Sequence, residues 1–189
     1  SEHITTAAAT PSVGTPSQLM RTHPVHWISF GFGSGLSPIA PGTVATLWAW
    51  LSFLVMDAFV SDIGWLLIIG AGFVLGVWAC TRTGCALGEA DNSSVVWDEI
   101  IAFWLVLWVL PKASDPAGLA VLGRVPEWAI QLMAFVWFRF FDISKPAPIG
   151  WVDALTRDGF GVMLDDLIAA GYALLATAVL FTLVQWMGY

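Results

Sequence analysis

At 189 residues, with 58% hydrophobic and only 11% charged side chains, the chain departs from a soluble globular domain, in which about a quarter of residues are charged. That balance, with a mean hydropathy of +0.78, points to an integral membrane protein of one domain. The net charge of −7 excludes the basic footprint of a nucleic-acid binder, and two cysteines, Cys80 and Cys85, are too few for a disulfide framework or a zinc site.

Residues 1–26 are rich in Ser, Thr, Ala and Pro and lack the basic start and apolar core of a signal peptide. They read as a mobile polar arm, with 27–189 forming a single transmembrane helical domain. Next comes "GFGSGLSPIAPGT" (31–43). No strand–helix–strand unit follows its glycines, so a dinucleotide fold is excluded; the stretch is either a re-entrant turn or an amide cradle for an anion. Pro41 ahead of an apolar run marks a helix start. The first apolar segment runs from about Val44 to Val60. After the tight break at Ser61-Asp62, the second runs from Ile63 to Cys80 and carries the small-residue pair Gly72 and Gly76, either a close-approach face or simply glycine-rich. The cysteines fall at and beyond its end and read as free thiols.

The third segment, Ile100–Leu110, is short of the roughly 20 residues a span requires unless it begins near Ser93 and takes in Asp98 and Glu99. Three prolines mark 111–127 as a loop. The fourth segment covers Glu127–Phe141 and the fifth Leu167–Met187. Seven tryptophans (48, 50, 65, 104, 108, 128 and 186) fall mostly near segment ends, as interfacial anchors do. The expected fold is therefore an all-α integral membrane bundle of about four to five transmembrane helices, with polar catalytic loops on the cytoplasmic side.

If all five segments span, residues 1–43, 81–98 and 142–166 share one side. That side holds Arg21, Arg82, Arg139, Lys145 and Arg157 against Lys112 and Arg124 opposite, so the positive-inside rule makes it cytoplasmic. Besides Glu2 in the arm, it holds nine of the fourteen acids, including the adjacent pairs Asp98-Glu99 and Asp165-Asp166. An acid at a helix N-terminus gains about 0.3–1 kcal/mol from the helix dipole, whereas a charge at mid-membrane costs about 2.5–3.5 kcal/mol. Paired acids thus call for a positive offset. A divalent cation is the first candidate, with pairing to Arg139 and Lys145, or solvation at the interface, as the others. Arg139, Asp142 and Lys145, three apart, form either a salt-bridge ladder or a clamp for a phosphate. Asp91 and Asp98, seven apart, share a face if the helix begins early. The histidines (3, 23 and 26) all lie in the N-terminal arm, and neither cysteine has an arginine six positions on. Phosphohistidine and thiolate chemistry drop out, leaving metal-activated water or an aspartate nucleophile for phosphate transfer.

Four stretches, "SPIAPGTVATL" (37–47), "DNSSVVWDEI" (91–100), "FRFFDISKPAPIGWVD" (138–153) and "GFGVMLDDLIAAGYA" (159–173), together resemble the phosphatidylglycerophosphatase A family of bacterial inner-membrane lipid phosphatases. The resemblance implies Mg²⁺-dependent removal of the terminal phosphate from phosphatidylglycerophosphate, at a multi-pass protein whose site faces the cytoplasm. It assigns Asp98, Glu99, Asp165 and Asp166 as metal ligands. Arg139 and Lys145 would hold the phosphate with the amides of Gly42 and Thr43; Asp142 or Asp91 would serve as base, and Lys145 would assist catalysis. The reading from another class is a transporter or cation channel that uses the acids as an ion site, though the first, second and fifth segments carry almost no charge beyond their ends.

Overall fold

A computed structural model describes residues 14–89, 92–147 and 158–187, and every regular element among them is helical. Two short helices, α1 (Pro16–Leu19) and α2 (Pro24–Ser29), lead through a 3₁₀ turn at Gly31–Leu36 into the bundle. The bundle comprises α3 (Pro41–Met56), α4 (Asp62–Leu87), α5 (Trp97–Val109), α6 (Pro116–Leu122), α7 (Glu127–Ser144) and α8 (Gly159–Trp186).

Two helices, α4 and α8, are long and apolar enough to cross a membrane alone; α6 and α7, bent by 75°, do so as a pair. That gives two to three candidate spans, fewer than the four to five expected. The reason is length. At 1.5 Å per residue, the 16 residues of α3 rise about 24 Å and the 13 of α5 about 20 Å, below the roughly 30 Å of a hydrocarbon core. The shorter of these two is placed where lipid does not test it. α5 packs against α3, α4, α7 and α8, and nine of its residues, from Trp97 to Leu107, are buried. A helix apolar on every side belongs inside a bundle.

Gly72 and Gly76 make that central packing possible. A Cβ on Gly72 would run into Ile101 of α5, and one on Gly76 would sit 2.5 Å from Met163 Sδ of α8. Trp97 Nε1 donates to the Gly72 carbonyl at 2.9 Å across the same contact. The tryptophans divide by depth. Trp65 and Trp104 are core residues, Trp65 stacked on Phe53 and Trp104 edge-to-face with Trp65 and Trp97, at 4.5–6.0 Å between ring centres, whereas Trp128 and Trp186 are exposed as interfacial anchors would be. Each buried indole finds an acceptor, Trp65 on Asp57 and Trp104 on the Ala49 carbonyl, as apolar surroundings demand. Asp57 is also paired with Lys112 at 2.6 Å, which explains an acid near the far end of α3.

The boundary drawn at residue 26 falls inside α2, where Val25, His26 and Ser29 are buried. His26 Nδ1 lies 2.8 Å from the Thr83 hydroxyl of α4, which donates to Ser29 Oγ at 2.8 Å; the Ser29 carbonyl accepts from Val96 N at 2.9 Å. Burial, with His23 beside it, holds His26 below the ordinary imidazole value, so the ring stays neutral at neutral pH. This chain of bonds ties the N-terminal segment to the residue that precedes α5. Both cysteines are free thiols, Cys80 buried and Cys85 exposed.

Candidate active site

Helix direction decides where the polar residues meet. α3, α5 and α8 begin, and α4 and α7 end, at one end of the bundle. There a cavity of about 430 Å³ is lined by Ala40–Thr43, Asn92, Ser93, Asp98, Glu99, Arg139, Asp142, Ile143, Lys145, Asp165 and Asp166. All of the expected site residues that the structure describes come together in it; Asp91 lies outside the described residues. The 3₁₀ turn built from "GFGSG" supplies no lining residue and packs instead against 94–100, whereas the other end of the same stretch, Ala40–Thr43, lines the cavity.

Asp98 and Glu99 occupy the first turn of α5, as expected from the sequence. Asp165 and Asp166 do not occupy a first turn. α8 begins at Gly159, eight residues before the expected Leu167, capped by Asp158, whose carboxylate accepts from Gly161 N at 2.9 Å. The pair therefore lies about two turns inside the helix, where the dipole no longer accounts for it. Both side chains are buried, at 3% exposure each.

Among the described residues, the cavity's two cations engage three of its five carboxylates. Arg139 Nη1 donates to Glu99 at 2.5 Å and to Asp142, one turn on in α7, at 2.9 Å. It also donates to the Thr46 hydroxyl at 3.3 Å. Lys145 is not on the face of α7 but ends that helix in the left-handed region (φ 39°, ψ 57°), and from there its Nζ donates to Asp165 at 2.8 Å. Ala40, which caps α3, is also left-handed (φ 46°), so two of the three described non-glycine residues with positive φ line this one cavity. Such strain concentrates at sites where function sets the backbone.

Three polar atoms in the cavity remain buried without a partner: Asp98 Oδ1, Asp166 Oδ2 and Arg139 Nε. Two orphaned carboxylate oxygens beside an orphaned guanidinium donor are complementary to a cation and an anion together. Among the described residues, no group of three or more His, Cys, Asp or Glu side chains stands ready to hold a metal ion. Two open carboxylates nevertheless suit Mg²⁺, which keeps several waters and takes one or two carboxylates plus phosphate oxygens.

Gly42 is fixed by the same cluster. A Cβ there would collide with Glu99 Oε1 and lie 2.7 Å from Arg139 Nη2. Gly42→Ala is therefore expected to break the Glu99–Arg139 pair and lower turnover about 10- to 100-fold with the helices retained. The check is phosphate release alongside circular dichroism.

Sequence reasoning missed three residues. Thr46, one turn beyond Gly42, touches both Glu99 (3.2 Å) and Arg139; its i+4 spacing from Gly42 on an otherwise apolar helix was the available signal. Asn92 and Ser93 line the mouth within the stretch 91–100, of which only the acids are expected as site residues.

Comparison with known proteins gives a consistent result. Residues 27–181 match the family model described as phosphatidylglycerophosphatase A. A Haemophilus influenzae protein named phosphatidylglycerophosphatase A is 36% identical over 165 residues, 87% of this chain and 91% of the relative. Its Escherichia coli namesake is 37% identical over 153 residues, 81% of each chain. A Bacteroides thetaiotaomicron protein, provisionally named a phosphatidylinositol-3-phosphatase, is 33% identical over 157 residues, 80% of this chain and 90% of the relative. No solved structure matches.

Proposed function

The chain belongs to the phosphatidylglycerophosphatase A family, and on that premise we propose how its cavity removes the terminal phosphate of phosphatidylglycerophosphate. The protein is a lipid phosphatase of phosphatidylglycerol synthesis. The observation that carries the mechanism is the gathering of five carboxylates and two cations in one cavity at the end of a membrane bundle, with Asp98 and Asp166 each leaving a buried oxygen open.

In this reading Asp98 and Asp166 hold Mg²⁺, with Glu99 and Asp165 completing the acidic set. The ion would neutralise phosphate oxygens and lower the pKa of a bound water. Arg139 presents its open Nε, and Lys145 its ammonium, to the phosphate; the amides of Gly42 and Thr43 at the start of α3 add two donors. Asp142, held by Arg139, orients the attacking water and takes its proton. The oxygen of water bonds to phosphorus, the bond to the glycerol oxygen breaks, and that oxygen takes a proton from solvent to become the primary hydroxyl of phosphatidylglycerol, while the proton on Asp142 returns to solvent.

Arg82, Arg139 and Lys145 lie toward the cavity end of the bundle and Lys112 and Arg124 toward the other, which supports an inner-membrane protein with the cavity facing the cytoplasm. No observation favours ion conduction: the buried acids Asp98, Asp165 and Asp166 all line one cavity rather than a path through the bundle. The test is phosphate release from phosphatidylglycerophosphate by the detergent-purified protein. Release that stops in EDTA and returns with Mg²⁺ supports the reading. Release indifferent to EDTA removes the metal from it, and no release from folded protein removes the reaction.

A further inference from the structure

A phosphate tethered to two acyl chains cannot leave the bilayer, so the cavity must open sideways as well as to water. The larger apolar groove on α4, about 640 Å³ and lined by Phe73, Trp78 and Arg82 among others, shares no lining residue with the cavity and offers no such route. The space between α3 and α7 does. Both helices pack on α5, yet they meet each other only sparsely.

Helical spacing identifies the two walls. Thr43, Leu47, Trp50 and Leu54 fall on one face of α3, and Gln131, Phe135 and Arg139 on one face of α7, with Ile143 one turn beyond. The faces oppose one another. Trp50 stacks on Phe135 at 5.7 Å and donates to Gln131 at 2.8 Å, while nearer the cavity Arg139 reaches Thr46. Between these two bridges the walls are lined by Leu47, 43% exposed, and at the mouth by Ile143, 72% exposed although it lines the cavity itself. Within one turn of α7 the surface passes from the phosphate-facing Arg139 to an apolar residue open to lipid.

We infer that this α3–α7 cleft is a lateral portal that seats the acyl chains of a membrane-embedded phosphomonoester while its phosphate enters the cavity, with Leu47 and Ile143 as the lips. The inference rests on the lipid-phosphatase reading and deepens it. The first methylenes of the chains lie along Leu47, and the Trp50–Phe135 stack closes the cleft deeper in the bilayer and turns the rest of each chain out into lipid. The polar headgroup turns inward past Ile143 toward Arg139 and Lys145.

Two measurements test the portal separately from the reaction. Ile143→Asn is compared with Leu183→Asn, on the lipid-facing side of α8, a helix that does not pack closely against α3. Substrates are the diacyl lipid in mixed micelles and its deacylated headgroup phosphate. The ratio of kcat/KM for diacyl over deacylated substrate is expected to fall about tenfold in Ile143→Asn, through KM, and to hold in Leu183→Asn. An equal loss on both substrates, or none, overturns the portal. Independently, a benzoylphenylalanine photoprobe at position 47 is expected to capture radiolabelled diacyl substrate at least fivefold above the same probe at position 183, and excess unlabelled substrate should abolish the difference. Equal capture overturns the inference even if the enzyme is active. Preferential capture by a protein that releases no phosphate would keep the binding cleft and discard the reaction.

Discussion

Replacing Asp166 with Asn is expected to lower kcat about 100- to 1,000-fold while leaving the metal-free protein at least as stable as the parent. Two consequences follow from one environment. The side chain is buried, its Oδ2 has no partner, and among the described residues it shares a cavity with four other carboxylates and two cations. Asn keeps the shape and the helix but removes one of the mutually repelling charges, so Tm in EDTA should hold or rise. Mg²⁺ stabilises whatever state binds it in proportion to ln(1 + [L]/Kd), so the rise in Tm on adding Mg²⁺ should shrink in the variant. Tm with and without Mg²⁺, measured beside kcat, reads both effects. A variant that stays active, or one whose activity falls only as its Tm falls, would contradict a metal role for Asp166. Stability gained where function is lost is the expected signature of a charge kept for chemistry.

Arg139→Gln should behave in the opposite way, losing activity and stability together. Its guanidinium is 14% exposed and serves Glu99 and Asp142, each 13% exposed. Removing it leaves two largely buried carboxylates facing each other, a loss of about 3–5 kcal/mol on the scale of broken buried ion pairs, reduced toward the lower figure by residual solvent. Adding Glu99→Gln to Arg139→Gln should recover much of the stability, because only one of the two carboxylates left facing each other is still charged, and none of the activity. Arg139→Lys retains charge, but its ammonium falls about one bond short of the Nη1 that contacts Glu99, Asp142 and Thr46, and it lacks the open Nε, so it should fold and turn over poorly. Chemical denaturation in detergent and phosphate release on the three variants separate the two roles. If the double variant recovered turnover, Arg139 would be a structural counter-ion alone.

The opposite behaviour of these two residues shows how the cavity is divided. Arg139 holds together what would otherwise repel, and Asp166 is left without that help, its place in the cluster being the one a cation would complete. The same division separates Asp98, with an open oxygen, from Asp165, bonded to Lys145.

Composition alone placed this chain in a membrane, because a chain with 11% charged residues has too little polar surface to cover a soluble domain. The acid pairs, Arg139, Asp142 and Lys145 were legible for a related reason: charge beside an apolar run is costly, so its presence signals a partner or a task. Other features depended on distant contacts. Leu167 opens the apolar run, yet α8 begins at Gly159, since Gly159 N bonds to Thr81 of α4 and Asp158 caps the helix. α5 is too short to span yet sits at the centre, because four neighbouring helices rather than lipid cover it. Trp65 and Trp104 look like interfacial anchors by position, but tertiary contacts supply acceptors for their N–H groups within the core. The role of Thr46 exists only once α3, α5 and α7 are assembled around it. Hydropathy and charge are properties of single residues and their neighbours in sequence, and they are readable there. Helix ends, burial and the division of one charge cluster into paired and open members are set by groups 20 to 93 positions apart, and only the folded chain brings those together.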